Sequence, residues 1–186
     1  MSELVVRPAR LPDVEPILRL INELAASQIM LPRSPASVIE NVRDFVVTEQ
    51  DGTFAGCGAL HVTWSDIAEI RSVAVAPAAR QRGIGKAIVE RLIADADKLG
   101  VARLFAFTYV PAFFEKLGFA VVEHGSLPHK VFTDCLNCPK FNCCDEIAML
   151  RVLRDEPPPG AGLTSVPEML PLPRRQVRES PEVPPR

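Results

Sequence analysis

Residues 73–93 read VAVAPAARQRGIGKAIVERLI, and no other stretch limits the fold so tightly. A β-branched strand enters a proline-marked turn, crosses Arg80-Gln81-Arg82-Gly83-Ile84-Gly85, and becomes an amphipathic helix at once. Such a unit needs a sheet for the strand and a helix packed on that sheet. Glycine lets backbone N–H groups come close to a ligand. The helix start adds unpaired N–H groups and roughly half a positive charge. From Ala76 to Lys86 stand Arg80, Arg82 and Lys86 with no acid, in a chain of net charge −2. A pyrophosphate fits that loop. The loop is not a Walker loop, because no Gly-Lys-Ser/Thr follows four residues after a glycine. It is not a dinucleotide fingerprint either, because the three-glycine spacing is absent. A glycine-rich turn on a basic surface is the competing reading, and the order strand, turn, helix disfavours it.

The remaining elements follow from periodicity and punctuation. ELVVRPA (3–9) reads as a first strand. Pro12-Asp13 opens a helix, with Asp13 suited to its cap and Val14, Ile17, Leu18, Ile21, Leu24 and Ala25 as its apolar stripe. Ser34-Pro35 caps a second helix over 34–43. DFVVTEQ (44–50) and TFAGCGALHVTW (53–64) flank a turn at Gln50-Asp51-Gly52 and predict a hairpin. IAEIRSVAVA (67–76) is the next strand, and alternation places Glu69, Arg71, Val73 and Val75 on one side of it. The helix over 84–100 presents Ile84, Ile88, Leu92, Ala96 and Leu99, and Gly100 stops it. RLFAFTY (103–109), FAVVEHG (119–125) and DEIAMLRVL (145–153) are strands, with a short helix at 111–118. The order β-α-α-β-β-β-α-β-α-β-β predicts an α/β mixed sheet with helices on both faces.

Nine of the 18 prolines fall in 155–186, a stretch with too few apolar groups to offset ordering entropy. The expected organisation is one folded domain over 1–154 and a disordered tail over 155–186. A domain of that size buries roughly 68–70% of its unfolded surface, enough for a core without metal or disulfides. The charge balance points to neither nucleic acid nor an anionic membrane. No apolar run approaches the ~18 residues of a membrane span, and the N-terminus lacks a signal-peptide pattern. The expected compartment is the cytoplasm, where thiols stay reduced.

Arg80-x-x-Gly83-x-Gly85 between VAVAP and an amphipathic helix resembles the acetyl-CoA pyrophosphate motif of the GNAT acetyltransferases. FFEKLGF (113–119) is similar to that superfamily's helix-then-strand signature. SQIMLPRSPASVIENVRDFVV, GCGALHVTWSDIAEIRSVAV, RLFAFTYVPAFFEKLGF and LPHKVFTDCLNCPKF together resemble the short, single-domain N-acetylglutamate synthases. The resemblance implies a GNAT fold with a mostly antiparallel central sheet. It implies acetyl-CoA as co-substrate and the α-amine of L-glutamate as acceptor, the first step of arginine biosynthesis, with another amino acid or small amine as the alternative acceptor and a non-catalytic acetyl-CoA or metal-sensing module as the alternative of another class. It also implies that no amino-acid-kinase-like regulatory domain precedes the first strand. The partners expected are small molecules, and the oligomeric state stays open, a homodimer included.

That reaction needs a base for the ammonium, a donor for the oxyanion, and cations for the carboxylates. Glu69 is the first candidate base and His61, on the neighbouring strand, the second; a strand-end carboxylate and a structural histidine are the bland alternatives. The expected acetyl-CoA residues are Val73, Ala74, Val75, Arg80, Gln81, Arg82, Gly83, Ile84, Gly85, Lys86 and Phe114. The oxyanion donor is expected among backbone N–H groups near Val73 to Val75. In the synthases an arginine followed by serine in the loop between the first two helices is expected to bind glutamate, and Arg33-Ser34 matches. Arg71, Lys130 and Thr108 are further acceptor candidates. Many GNAT enzymes carry a tyrosine before the Gly-Phe pair; here Phe113-Phe114 stands there, and Tyr109 is the one tyrosine.

The window DCLNCPKFNCC (134–144) holds Cys135, Cys138, Cys143 and Cys144. Three thiolates with His124 or His129 would suit tetrahedral zinc, but a second Cys-x-x-Cys is missing. A reduced, packed loop is preferred to a zinc site, and a disulfide comes last. No metal is assigned.

Overall fold

The computed structural model describes residues 3–127 and 144–155. Asp51 and Gly52 both take positive φ, 50° and 76°, as a two-residue hairpin turn with the sheet's own twist requires. They join β2 (Phe45–Gln50) to β3 (Thr53–Val62), and β1 (Leu4–Pro8) adds antiparallel to β2. β4 (Ile67–Val75), β5 (Arg103–Thr108), β6 (Ala120–Val121) and β7 (Ile147–Val152) complete a sheet of order β1-β2-β3-β4-β5-β7-β6. Only β4 and β5 run parallel, so the sheet is mixed and mostly antiparallel, as expected. Among the described residues no helix is long and apolar enough to cross a membrane.

Helices α1 (Val14–Ala26) and α2 (Pro35–Glu40) cover one face of the sheet. Ile17, Leu20, Ile21, Leu24 and Val38 pack there on Phe45, Val47, Cys57, Ala59 and Ala74. Helices α3 (Ile84–Leu99) and α4 (Pro111–Glu115) lie on the other face. Ile84, Ile88, Leu92 and Phe114 bury against Val46, Leu60, Ala68, Ile70 and Leu104.

Local details depart from expectation. Asp13 does not cap α1: its carboxylate takes two bonds from Arg7, at 2.7 and 2.8 Å, and the Arg10 N–H at 2.7 Å. Leu20 joins the buried stripe, Val14 and Leu18 pack against it partly buried, Ala25 is partly buried, and Leu99 is 65% exposed. Ser34 does cap α2, accepting the Ser37 N–H at 3.1 Å. That helix stops at Glu40 because the Asn41 side chain donates to the Ser37 carbonyl at 2.8 Å and the chain tightens into a turn at Val42–Asp44. The strand expected over 119–125 shortens to Ala120–Val121.

The consequential departure is in β4. Its register runs Ala59↔Arg71 and then Cys57↔Ala74, so Ser72 and Val73 together oppose Gly58. Ser72 takes φ +54°, and the strand bulges. An extra residue reverses which face the following side chains meet. Ala68 and Ile70 face α3 before the bulge, and Val73 and Val75 face α3 after it, while Ala74 packs under α1. Glu69 and Arg71 therefore lie on the α1/α2 face, opposite Val73 and Val75. The expectation of one shared side is corrected: uninterrupted alternation fails at Ser72.

Candidate active site

β4 and β5 pair only at Ile67↔Arg103, Ala68↔Leu104 and Glu69↔Phe105. Beyond Glu69 no ladder pair joins them among the described residues, so the two strands cease to pair before the bulge. Asp66 anchors the closed end: its carboxylate pairs with the Arg103 guanidinium, and its carbonyl accepts the N–H groups of Ala102 and Arg103 at 3.1 and 2.9 Å.

The phosphate loop joins the end of β4 to α3. Gln81 and Gly83 take φ +64° and +76°, turning the chain into α3. The bond from Ala87 N–H to the Gly83 carbonyl, 3.0 Å, is the first of α3, so the N–H groups of Ile84, Gly85 and Lys86 have no intrahelical acceptor. Arg82 leans to Gln50 at 3.2 Å and Lys86 to Glu90 at 3.7 Å. Arg80 is exposed; its backbone N–H donates to the Pro77 carbonyl at 3.4 Å, and its guanidinium makes no ion pair or hydrogen bond among the described residues. A Cβ built on Gly85 would sit 3.6 Å from both Phe113 and Val75, in ordinary contact. The residues fit a pyrophosphate-bearing co-substrate: open N–H groups, cationic side chains, and a glycine whose small size the protein's own packing does not demand. Phe113 is the ring beside Gly85, whereas Phe114 is buried in the core, edge-on to Phe113 and Phe119 at 5.2 and 5.3 Å.

A polar cluster occupies the α1/α2 face of β3 and β4. His61 and Glu69 are direct cross-strand partners, which brings their Cβ atoms to roughly 5 Å. Glu69 contacts the Arg71 guanidinium at 3.6 Å, with Arg71 8% and Glu69 16% exposed. His61 Nδ1 lies 2.8 Å from the Asp44 carboxylate. With the Nδ1 proton donated to Asp44, Nε2 keeps a lone pair. Asp44 is absent from the expectations above. Its signal was the hairpin: Phe45 pairs Ala59, so Asp44 stands next to Leu60 and within reach of His61.

Arg33 lies in the loop between α1 and α2, over the same face, and Ser34 is occupied as the α2 cap. Thr108 is buried at the end of β5, where its hydroxyl accepts the Val110 N–H at 3.0 Å. The Tyr109 hydroxyl donates to Asp145 at 2.8 Å. His124 stacks on Phe107 with ring centroids 5.4 Å apart. Lys130, His129, Cys135, Cys138 and Cys143 lie outside the described residues, so the zinc question does too; Cys144 is exposed. Among the described residues no group of three or more His, Cys, Asp or Glu could hold a metal ion.

Residues 15–119 match the family described as Acetyltransferase (GNAT) family. An uncharacterized N-acetyltransferase of Chlorobaculum tepidum is 40% identical over 152 residues, 82% of this chain and 98% of that protein. The amino-acid acetyltransferase of Mycobacterium tuberculosis is 42% identical over 133 residues, 70% of this chain and 76% of that protein. The solved N-acetylglutamate synthase of Neisseria gonorrhoeae, complexed with coenzyme A and N-acetyl-glutamate, aligns with TM-score 0.74 and 28% identity. That alignment covers 82% of this chain and 35% of the synthase, so this chain spans about a third of that protein's length.

Proposed function

Since the chain belongs to the GNAT acetyltransferase family, it is an acyltransferase that uses acetyl-CoA, and we propose that its acceptor is the α-amine of L-glutamate. The observation that carries the reading is the bulge at Ser72. It divides β4 into a segment presenting Glu69 and Arg71 to the α1/α2 face and a segment presenting Val73 and Val75 to the α3 face. Acceptor chemistry and co-substrate binding thereby meet along one strand. The likeness to an N-acetylglutamate synthase and the cationic side chains Arg33 and Arg71 favour an acidic amino acid over a polyamine.

Bound acetyl-CoA supplies an activated acyl group as a thioester whose thiolate leaves readily. The chain's residues do the rest. Ile84, Gly85 and Lys86 N–H groups with Arg80 hold the pyrophosphate. Backbone N–H groups along Val73, Ala74 and Val75, where β4 has left β5, hold the pantetheine arm and the oxyanion. Glu69 takes a proton from the substrate ammonium, directly or through water, and Asp44-oriented His61 is the alternative base. Arg33 and Arg71 neutralise the acceptor carboxylates. The catalytic domain spans 1–154, the reaction is cytoplasmic, and it serves amino-acid biosynthesis leading to arginine.

A panel of amino acids assayed with acetyl-CoA for thiol release tests this reading. L-Glutamate is expected to turn over fastest. Preference for another amino acid shifts the acceptor, and no release with any amino acid sinks the reading. Glu69→Gln should lower kcat by about 10²-fold or more with both KM values little changed. If His61→Asn does so and Glu69→Gln does not, the base is His61.

A further inference from the structure

Asn22 stands on the last turns of α1, eleven residues before Arg33. Its side-chain Nδ2 donates to the Arg33 carbonyl at 3.1 Å, and its Oδ1 accepts the Arg33 N–H at 3.0 Å. One amide thus satisfies both backbone groups of a single residue, as a neighbouring strand would. The ends of the loop are tethered as well. Ser27, Gln28 and Ile29 N–H groups bond back to the end of α1, Gln28 reverses the chain at φ +57°, and Ser34 starts α2. Ile29 and Leu31 are exposed, and Met30 between them is only partly buried against the core under α1 and α2.

We propose that Asn22 is a positioning residue for the acceptor: it pins the Arg33 backbone in the loop between α1 and α2, so that the guanidinium starts from one place. The inference rests on Arg33 acting as the carboxylate clamp. An arginine that must find two carboxylate oxygens loses affinity when its backbone wanders, because ordering it then costs free energy at each binding event. The amide suits the task better than a charge, since it offers one donor and one acceptor to a backbone that needs both. Asn22 is itself exposed and off the buried stripe of α1, so its removal leaves the core intact.

The test is a double-mutant cycle on the full chain, using acetyl-CoA and the amino acid turned over fastest. Asn22→Ala should raise the acceptor KM by about 3- to 10-fold, the effect of one or two lost hydrogen bonds. The acetyl-CoA KM should stay within about twofold, and thermal stability should be little changed. Asn22→Asp, which keeps the acceptor but loses the donor, should behave like Asn22→Ala. In an Arg33→Ala background, Asn22→Ala should add almost nothing, because the two act through one contact. Additive effects, or an equal rise in both KM values, overturn the proposal. If Arg33→Ala raises the acceptor KM and Asn22→Ala does not, positioning is refuted and the clamp survives. If Arg33→Ala leaves the acceptor KM unchanged, or no amino acid is turned over, the clamp reading fails and this inference falls with it.

Discussion

Gly85→Ala separates what the protein needs at the phosphate loop from what the ligand needs. The new Cβ would lie 3.6 Å from Phe113 and 3.6 Å from Val75, neither a clash. Gly85 is the second residue of α3, where alanine is favoured over glycine by up to about 1 kcal/mol. The ligand-free variant should therefore be as stable as the parent or more so, with Tm higher by roughly 0–4 °C for a chain of this size. The same methyl stands beside the Gly85 N–H, one of the groups proposed to hold the pyrophosphate. Displacing it should raise the acetyl-CoA KM about tenfold or more, equivalent to about 1.4 kcal/mol. Thermal unfolding and steady-state kinetics at saturating acceptor read the two arms. Gly56→Ala is the control: its Cβ would be 2.6 Å from the Ala74 carbonyl oxygen, a backbone atom that cannot swing away. Overpacking of that kind costs about 1–3 kcal/mol and lowers Tm by several degrees. A Tm loss for Gly85→Ala as large as the control's would mean that the protein's packing requires the glycine. An unchanged acetyl-CoA KM would mean that the start of α3 does not carry the pyrophosphate.

Asp13→Asn should destabilise the domain by about 1–2 kcal/mol at pH 7, because Asp13 accepts charge-assisted bonds from Arg7 and the Arg10 N–H. The Arg7 hydrogen bond holds the folded-state carboxyl below its ordinary value against the opposing effect of burial. Its contribution is therefore complete above the unfolded pKa of about 3.9 and is lost as pH falls through the folded value. Urea unfolding should show the parent–variant gap starting to close below about pH 4 and narrowing further as pH falls; a gap that does not narrow with falling pH would implicate packing instead of charge. For Cys57, burial pushes the thiol up to about 12. At pH 8 iodoacetamide should modify exposed Cys144 and spare Cys57 until the chain is unfolded, as read by peptide mass spectrometry. Equal labelling of both in the native protein would contradict the burial. The sign of the linkage is opposite to that of Asp13: the neutral-thiol contribution is full below about pH 8.5 and is lost as pH rises toward 12.

Much of this molecule is legible in one dimension. The order of its elements, the Asp51-Gly52 hairpin, the Ser34 cap, the Gly100 stop and the phosphate loop all follow from residues a few positions apart. Each is a local matter of φ preference, capping or periodicity, and the fold class follows from their order. What stayed hidden depends on distant segments meeting. The bulge at Ser72 arises from how β4 registers against β3, and it transfers Glu69 and Arg71 to the face opposite Val73 and Val75. Alternation cannot announce such a slip, because every residue on either side of it still alternates. Asp44 reaches His61 across 17 residues, and Asn22 holds Arg33 across 11. The sequence by itself determined which chemical groups the chain carries and which ones sit beside the start of a helix. The tertiary structure alone decided which of them share a face, since that depends on strand register and packing between elements that are far apart along the chain.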